Sequence, residues 1–379
     1  MDNELYQKFE NYLKEIDVKK IESTWEYQSK IFKDFWKEKI LNLSYPPLTD
    51  AEIDQVVLIL DKNAKGSTKN TIAVARVMIP QGVWRRLFKE IQTNKKLQIL
   101  LYNILIESDE TKLTKLIDEL YNINQGKKNS LTGKSGNAIN AMLFAFSPKR
   151  YTDIISLNDR KRVIEYFNIE CNVNFENDSQ GKKIVQSNQA IISGFKKYKI
   201  DARPFILSDF LYNKIKDEWK PSEQTNQSAE DTSDGQGSQE DYSESKSSFY
   251  MEKELENFLI TNWDRTELAK ELELIEEEGE IVSQQYQTDI GKIDILVKDK
   301  KTGQYVVIEL KKNQTSDDTV GQLTRYMGWL EEHKTNGKST KGIIIASAYD
   351  KKLYYALKKV KDVEVYTYQV DFKLKEFKK

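Results

Sequence analysis

The sequence predicts two domains of different class: a mainly α-helical one over residues 1–218 and a mixed α/β one over 250–379, joined by a flexible acidic linker at 219–249. Three observations predict this. Apolar residues in the first part recur at helical spacing. After residue 250, short β-rich runs alternate with helical segments. Between the two, residues 221–248 hold seven acids (Glu223, Glu230, Asp231, Asp234, Glu240, Asp241, Glu244) against one base, Lys246, and apart from Pro221 only Ala229 and Tyr242 are apolar. Such a stretch buries too little surface to offset the entropy of ordering it.

In the N-terminal part, Leu97, Leu100, Leu101, Ile104 and Leu105 fall on one helical face, as do Leu113, Ile117, Leu120 and Ile123. Asn137 to Phe146 and Arg160 to Phe167 read as further helices. Thr71 to Ile79 fits either a strand or a buried helix. No repeat of 20–50 residues is present.

The C-terminal part begins with a helix from Tyr250 to Asn262. Glu280–Gln287, Lys292–Val297 and Tyr305–Leu310 read as strands, the last two joined by a turn at Lys301-Thr302-Gly303. Asp318–Glu332 is an amphipathic helix with Val320, Leu323, Met327 and Leu330 on one stripe. A β-rich run, Lys341–Ser347, a helix, Lys351–Lys359, and a last strand, Val363–Val370, complete an order of α-β-β-β-α-β-α-β. A helix between two strands implies a parallel pair, hence a mixed sheet.

Composition narrows the chemistry. The chain has 379 residues, one cysteine and one histidine, His333. A Cys/His zinc cluster cannot be built from one of each, and a Ser-His-Asp site would have to use His333, in the polar tail of a helix. Any catalysis falls to carboxylates and lysines. One cysteine and the polar start Met1-Asp2-Asn3-Glu4 suit a cytoplasmic setting, and no apolar run suits a membrane span. The net charge of −1 conceals an asymmetry: without the −6 of residues 221–248 the remainder is +5, which permits a basic surface. Thr132-Gly133-Lys134-Ser135 looks like the end of a phosphate loop, but the glycine required five residues before Gly133 is Lys128. No nucleotide cofactor is expected.

The informative text is Gly291-Lys-Ile-Asp-Ile-Leu-Val followed by Tyr305-Val-Val-Ile-Glu-Leu-Lys-Lys. In a strand alternate side chains share a face. Glu309 and Lys311 are therefore neighbours, and a hairpin return brings Asp294 opposite Glu309. Two carboxylates and a lysine at one sheet end suit phosphodiester hydrolysis with Mg²⁺ or Mn²⁺ held by oxygen ligands. A solvated hairpin with an ordinary Glu–Lys pair shows the same spacing; the surrounding αβββαβ order is what favours a site.

With Val320-Gly-Gln322-Leu-Thr-Arg325-Tyr326-Met-Gly-Trp329 added, this segment resembles the PD-(D/E)XK nuclease superfamily, whose domains have the restriction-endonuclease-like fold. More closely it resembles the C-terminal domain of NucS/EndoMS-type endonucleases, over about 120 residues. The resemblance implies that Asp294, Glu309 and the backbone carbonyl of Leu310 ligate the metal, that Lys311 is the catalytic lysine, and that Gln322 lies beside the site. The proline of the superfamily's name is absent, since Ile293 precedes Asp294. A further acid is expected on the first helix. Taking Leu255, Phe258 and Leu259 as the buried stripe favours Glu252, with Glu256 as the alternate. Members of that group carry a smaller, β-rich N-terminal domain, so the resemblance stops short of this one.

The expected function is that of a Mg²⁺-dependent DNA endonuclease acting in restriction of foreign DNA or in DNA repair. Arg325, Tyr326, Trp329, Arg85 and Arg86 are candidate DNA contacts, the last two within Trp84-Arg85-Arg86. Pro148-Lys149-Arg150-Tyr151 and Lys196-Lys197-Tyr198-Lys199 are similar basic-aromatic clusters. DNA is the expected partner, with a second copy of the chain as another. The rival readings are a non-catalytic DNA-binding or scaffolding protein that keeps the nuclease fold, and an RNase.

Overall fold

The structure, a computed structural model, describes residues 2–61, 79–127, 129–220, 252, 255–277, 279–315, 317–349 and 351–369. They form two compact units. Among the described residues no helix is long and apolar enough to cross a membrane. The linker expectation and residues 71–78 lie outside the described residues.

The described N-terminal unit is helical: α1 (Asp2–Glu15), α2 (Val18–Phe35) running into a π-helical turn (Trp36–Ile40), α3 (Asp50–Leu60), α4 (Gln81–Thr93), α5 (Lys95–Ile106), α6 (Glu110–Ile123), α7 (Asn137–Phe146), α8 (Leu157–Tyr166), α9 (Gln180–Gly194), α10 (Pro204–Asn213) and α11 (Lys216–Trp219). Side chains cap the first turns of α2, α3, α5, α6 and α9; on α3, Thr49 and Glu52 form a reciprocal capping box. Helix α7 is apolar nearly all round and lies inside, packed by α2, α3 and α5.

Two expectations for this unit are corrected. Arg85 is 7% exposed, and its guanidinium grips Asp54 through Nε–Oδ1 at 2.7 Å and Nη2–Oδ2 at 2.6 Å. It ties α4 to α3 and is not available to DNA; only Arg86 of the pair is exposed. Several bases of the other clusters are engaged within the unit, although Lys149, Lys196, Lys197 and Lys199 stay exposed. Arg150 donates to the carbonyls of Glu107 and Ser108, Lys197 to those of Phe167 and Asn168, and Lys149 pairs with Glu26.

The C-terminal unit opens with a helix over residues 255–261 (α12). A six-stranded mixed sheet follows: β1 (Leu272–Leu274), β4 (Gln284–Thr288), β5 (Gly291–Asp299), β6 (Tyr305–Thr315), β7 (Lys341–Tyr349) and β8 (Val363–Thr367). A separate small hairpin pairs β2 (Glu276–Glu277) with β3 (Glu280–Ile281). Strand β5 pairs antiparallel with β6, and its other edge is shared end to end by the short strands β1 and β4. The β6–β7 and β7–β8 pairs are parallel, as helices between strands require. Helices α13 (Asp317–His333) and α14 (Lys351–Leu357) provide those crossovers.

Each sheet face has its own core. Ile295, Val297, Val306, Ile308 and Ile343 pack under Ile260 and Trp263, on the α12 side. Leu296, Val307 and Ile344 pack under Val320, Leu323, Met327 and Leu330 of α13 and Leu353 of α14. The α13 stripe is the one its sequence predicts.

Candidate active site

Strand alternation assembles the site. Val307 faces the α13 layer, so Glu309 and Lys311 lie on that side of β6. The β5–β6 ladder runs from Lys298↔Tyr305 to Ile295↔Ile308 and stops there. One step further, where Asp294 would oppose Glu309, the Asp294 carboxylate enters the gap. Its Oδ2 accepts the Leu310 N–H at 2.9 Å. The two strands part at this point, and two acids lie in the opening.

Glu309 is 0% exposed, and neither carboxylate oxygen has a hydrogen-bond donor among the described residues. Lys311 Nζ lies 3.8 Å from Glu309 Oε2 and 3.4 Å from Gln322 Oε1. Burial, and then the adjacent Asp294 charge, push the Glu309 carboxyl up to about 9, with Lys311 pulling the other way. Asp294 is raised too, chiefly by burial. The Leu310 N–H and Lys311 oppose that shift and the Glu252 charge adds to it.

A buried acid and a half-buried one, both pushed toward protonation and the first with no hydrogen-bond donor among the described residues, form a place that a cation would satisfy. The donors are carboxylate oxygens, which suit a hard divalent ion. Among the described residues no group of three His, Cys, Asp or Glu side chains is set as metal ligands.

Helix α12 brings a third acid close. Glu256 is 4% exposed, and its Oε2 accepts from Gln285 Nε2 at 2.6 Å; the same nitrogen lies 3.4 Å from Asp294 Oδ1. Glu252 is half-buried and near enough for its charge to raise both Asp294 and Glu309. The stripe used to rank these two acids is corrected: Phe258 is 62% exposed, and Ile260 takes the inward place. That rotates the helix so that Glu256, one turn before Ile260, faces in.

Residues 264–371 match the family described as Endonuclease NucS C-terminal domain. Among similar proteins is Endonuclease NucS of Sulfolobus acidocaldarius, 30% identical over 109 residues, which are 29% of this chain and 38% of that one. That of Methanocaldococcus jannaschii is 35% identical over 74 residues, 20% and 27% of the two chains. That of Corynebacterium urealyticum is 43% identical over 63, 17% and 25%. The C-terminal unit is NucS-like. The chain thus spans between a quarter and two fifths of the length of these relatives. Two solved structures are more distant. A repair endonuclease from Pyrococcus abyssi has 20% identity and a TM-score of 0.25, covering 36% of this chain and 50% of that one. An EndoMS–dsDNA complex has 19% identity and a TM-score of 0.26, covering 38% and 51%. Likeness at that level leaves the fold to rest on the strand pairing itself.

Within the NucS-like unit, two of the three aromatic and basic candidates on α13 are corrected. Tyr326 is buried in the α13 core, where its hydroxyl would sit 2.5 Å from a Cβ placed on Gly291. Trp329 is half-buried; its Nε1 donates to Asp289 and its ring stacks on His333, with centroids 4.8 Å apart and planes at 14°. Neither ring stands free to meet a base. Arg325 is exposed.

The tyrosine explains the glycine that opens β5. Gly291 has φ +134°, which side-chain-bearing residues rarely adopt, and it lies against the Tyr326 hydroxyl. Gly291→Ala is expected to destabilise the chain by about 1–3 kcal/mol and to displace Asp294 three residues on. A lower thermal midpoint measures the first effect; an unchanged midpoint would contradict the packing described.

The sequence reading missed Gln285. It faces Asp294 between the ladder pairs Gln284↔Ile295 and Tyr286↔Ile293, and its φ of +50° breaks regular strand geometry. Counting back along the hairpin from Asp294 reaches this position. Nothing in the glutamine-rich text distinguishes it from Gln284 or Gln287.

Proposed function

We propose that this chain is a metal-dependent DNA endonuclease whose site is the acidic cluster at the parted end of β5 and β6. The observation that carries the reading is Glu309, wholly buried, without a hydrogen-bond donor among the described residues, and beside Asp294 and Lys311. The NucS-like character of the domain supports DNA as substrate. Asp294, Glu309 and the Leu310 carbonyl would hold Mg²⁺ or Mn²⁺, which supplies Lewis acidity toward the phosphoryl oxygens when bound. Lys311, oriented by Gln322, offers its ammonium to charge developing on the scissile phosphate. Gln322 holds that lysine through its side-chain oxygen. Glu256 is aligned with Asp294 by the Gln285 amide, and Glu252 adds negative charge at the mouth. Restriction and repair both use such a chemistry, and the reading does not depend on which.

Purified chain with Mg²⁺ and an equimolar mixture of labelled DNA and RNA tests it. Preferential DNA cleavage is expected. Cleavage of RNA alone would establish the RNase reading, and binding without cleavage of either would establish the non-catalytic one.

Gln285 acts as a positioning residue in this reading. Gln285→Leu, and separately Gln285→Gly, remove the amide that joins Glu256 to Asp294. Each should weaken Mn²⁺ affinity and cleavage by about 10-fold or more. The glycine variant relaxes the backbone strain at the same time, so its thermal midpoint should not fall. Unaltered metal affinity in both variants would remove Gln285 from the site.

A further inference from the structure

The segment 351–361, Lys-Lys-Leu-Tyr-Tyr-Ala-Leu-Lys-Lys-Val-Lys, contains five lysines and no acid. All five are exposed, and among the described residues no ion pair joins any of them to a carboxylate. Many other surface lysines of the chain do pair, including Lys8, Lys30, Lys89, Lys149 and Lys214. Two aromatic rings stand among the five. Tyr354 is 50% and Tyr355 64% exposed, with centroids 5.4 Å apart and planes at 70°. Lys358 Nζ lies 4.7 Å from the first ring centroid and 5.6 Å from the second. A lysine-rich helix face is ordinarily just solvated, and single exposed tyrosines need no explanation. Adjacent exposed rings within a row of lysines that form no ion pair among the described residues are a different case. They combine the two features that hold a nucleic-acid strand: cations for phosphates and flat faces for bases or sugars.

The topology starts this helix at the sheet end, and on the sheet side, of the acidic site. Strands β6 and β7 are parallel with Lys311↔Ala346 and Thr315↔Tyr349 in register. Helix α14 begins immediately after β7, so Lys351 and Lys352 start at the sheet end that carries Lys311. The helix buries Leu353 in the α13 layer, the same side of the sheet as Glu309 and Lys311. From Lys351 to Leu357 the helix rises about 9 Å, and Lys358 follows directly, enough to track a strand past more than one phosphate.

We propose that the exposed face of α14, with Lys351, Lys352, Tyr354, Tyr355 and Lys358, is the surface on which the NucS-like unit holds the DNA strand leading into its acidic site. This rests on the DNA-nuclease reading above, and it names a binding surface separate from the residues that cut.

The test uses the full chain carrying Glu309→Gln, so that binding is read without cleavage. Fluorescence anisotropy with labelled 20-nucleotide single-stranded and duplex DNA is followed from low to high KCl. Lys351→Ala/Lys352→Ala/Lys358→Ala should weaken binding at least about 10-fold at low salt and lower the slope of log K against log salt by about 2 on the single strand and about 3 on the duplex, as loss of three phosphate contacts requires. Tyr354→Ala/Tyr355→Ala should weaken binding at least about 5-fold with the slope unchanged, as loss of stacking does. Affinities and slopes within about twofold of the parent in both sets would overturn the proposal. So would lysine-dependent binding to phosphatidylserine vesicles with no lysine dependence on DNA. The underlying reading is scored apart: failure of the chain bearing Glu309 to cleave while lysine-dependent DNA binding persists sinks the nuclease reading and leaves the surface. Cleavage with lysine-independent binding does the reverse.

Discussion

Asp294→Asn and Glu309→Gln are each expected to lower the single-turnover rate of DNA cleavage by at least about 10³-fold, or about 4 kcal/mol of barrier. The substitutions keep size and shape, and the fold should survive them. Glu309→Gln leaves its neighbours packed as they are, because no hydrogen bond to its oxygens exists among the described residues to be lost. Asn at 294 can still accept the Leu310 N–H through its side-chain oxygen. What each variant loses is a negative charge in a buried opening where a cation must sit. Lys311→Ala should cost a similar factor by a different route, leaving metal binding in place and removing a positive charge beside the phosphate. Gel-resolved cleavage with enzyme in excess measures all three. A rate within about tenfold of the parent for Asp294→Asn or Glu309→Gln would remove that residue from the site.

The second large effect is on stability and follows from the Glu309 proton. In the folded, metal-free chain this carboxyl is pushed up to about 9 from an ordinary 4.5. The folded state therefore holds a proton that the unfolded state releases above 4.5. The associated stability is complete below that pH and drains away as pH rises toward 9. Glutamine is neutral throughout. In EDTA at pH 8, Glu309→Gln should melt higher than the parent, by about 5 °C or more, and the gap should close near pH 5. Excess Mn²⁺ should reverse the order, because the bound ion stabilises only the chain that can hold it. Thermal unfolding at the two pH values, with and without Mn²⁺, reads all of this. A parent melting curve insensitive to pH, metal and substitution would mean that Glu309 is not the buried acid described.

Where function could be read from the chain, the reason is periodicity. The period-2 alternation of Tyr305 to Lys311 put Glu309 and Lys311 on one face, and hairpin symmetry put Asp294 opposite them. The helical stripe from Val320 to Leu330 fixed the layer beneath which they lie. What was not legible depends on partners far away in sequence. Trp84-Arg85-Arg86 reads as a basic-aromatic patch, yet Arg85 turns inward to Asp54. Tyr326 and Trp329 read as surface aromatics, yet one is held against Gly291 and the other hydrogen-bonds Asp289. On α12 a single apolar residue, Phe258, shifted the inferred face toward Glu252 and away from Glu256. The three-residue strand β1 is too short to show a period. Gln285 escaped notice because a positive φ places it outside the alternation on which strand reading relies.

If the acids at the parted end of β5 and β6 hold a divalent cation, the metal-free chain must bind one there. Calorimetric titration of Mn²⁺ into the full metal-free chain at two pH values tests it most directly, with Asp294→Asn and Glu309→Gln alongside. Binding to the parent should tighten as pH rises and release protons, since the metal must displace the proton on Glu309. Both variants should lose that binding. Mn²⁺ binding of equal strength in the parent and in both variants would contradict this assignment.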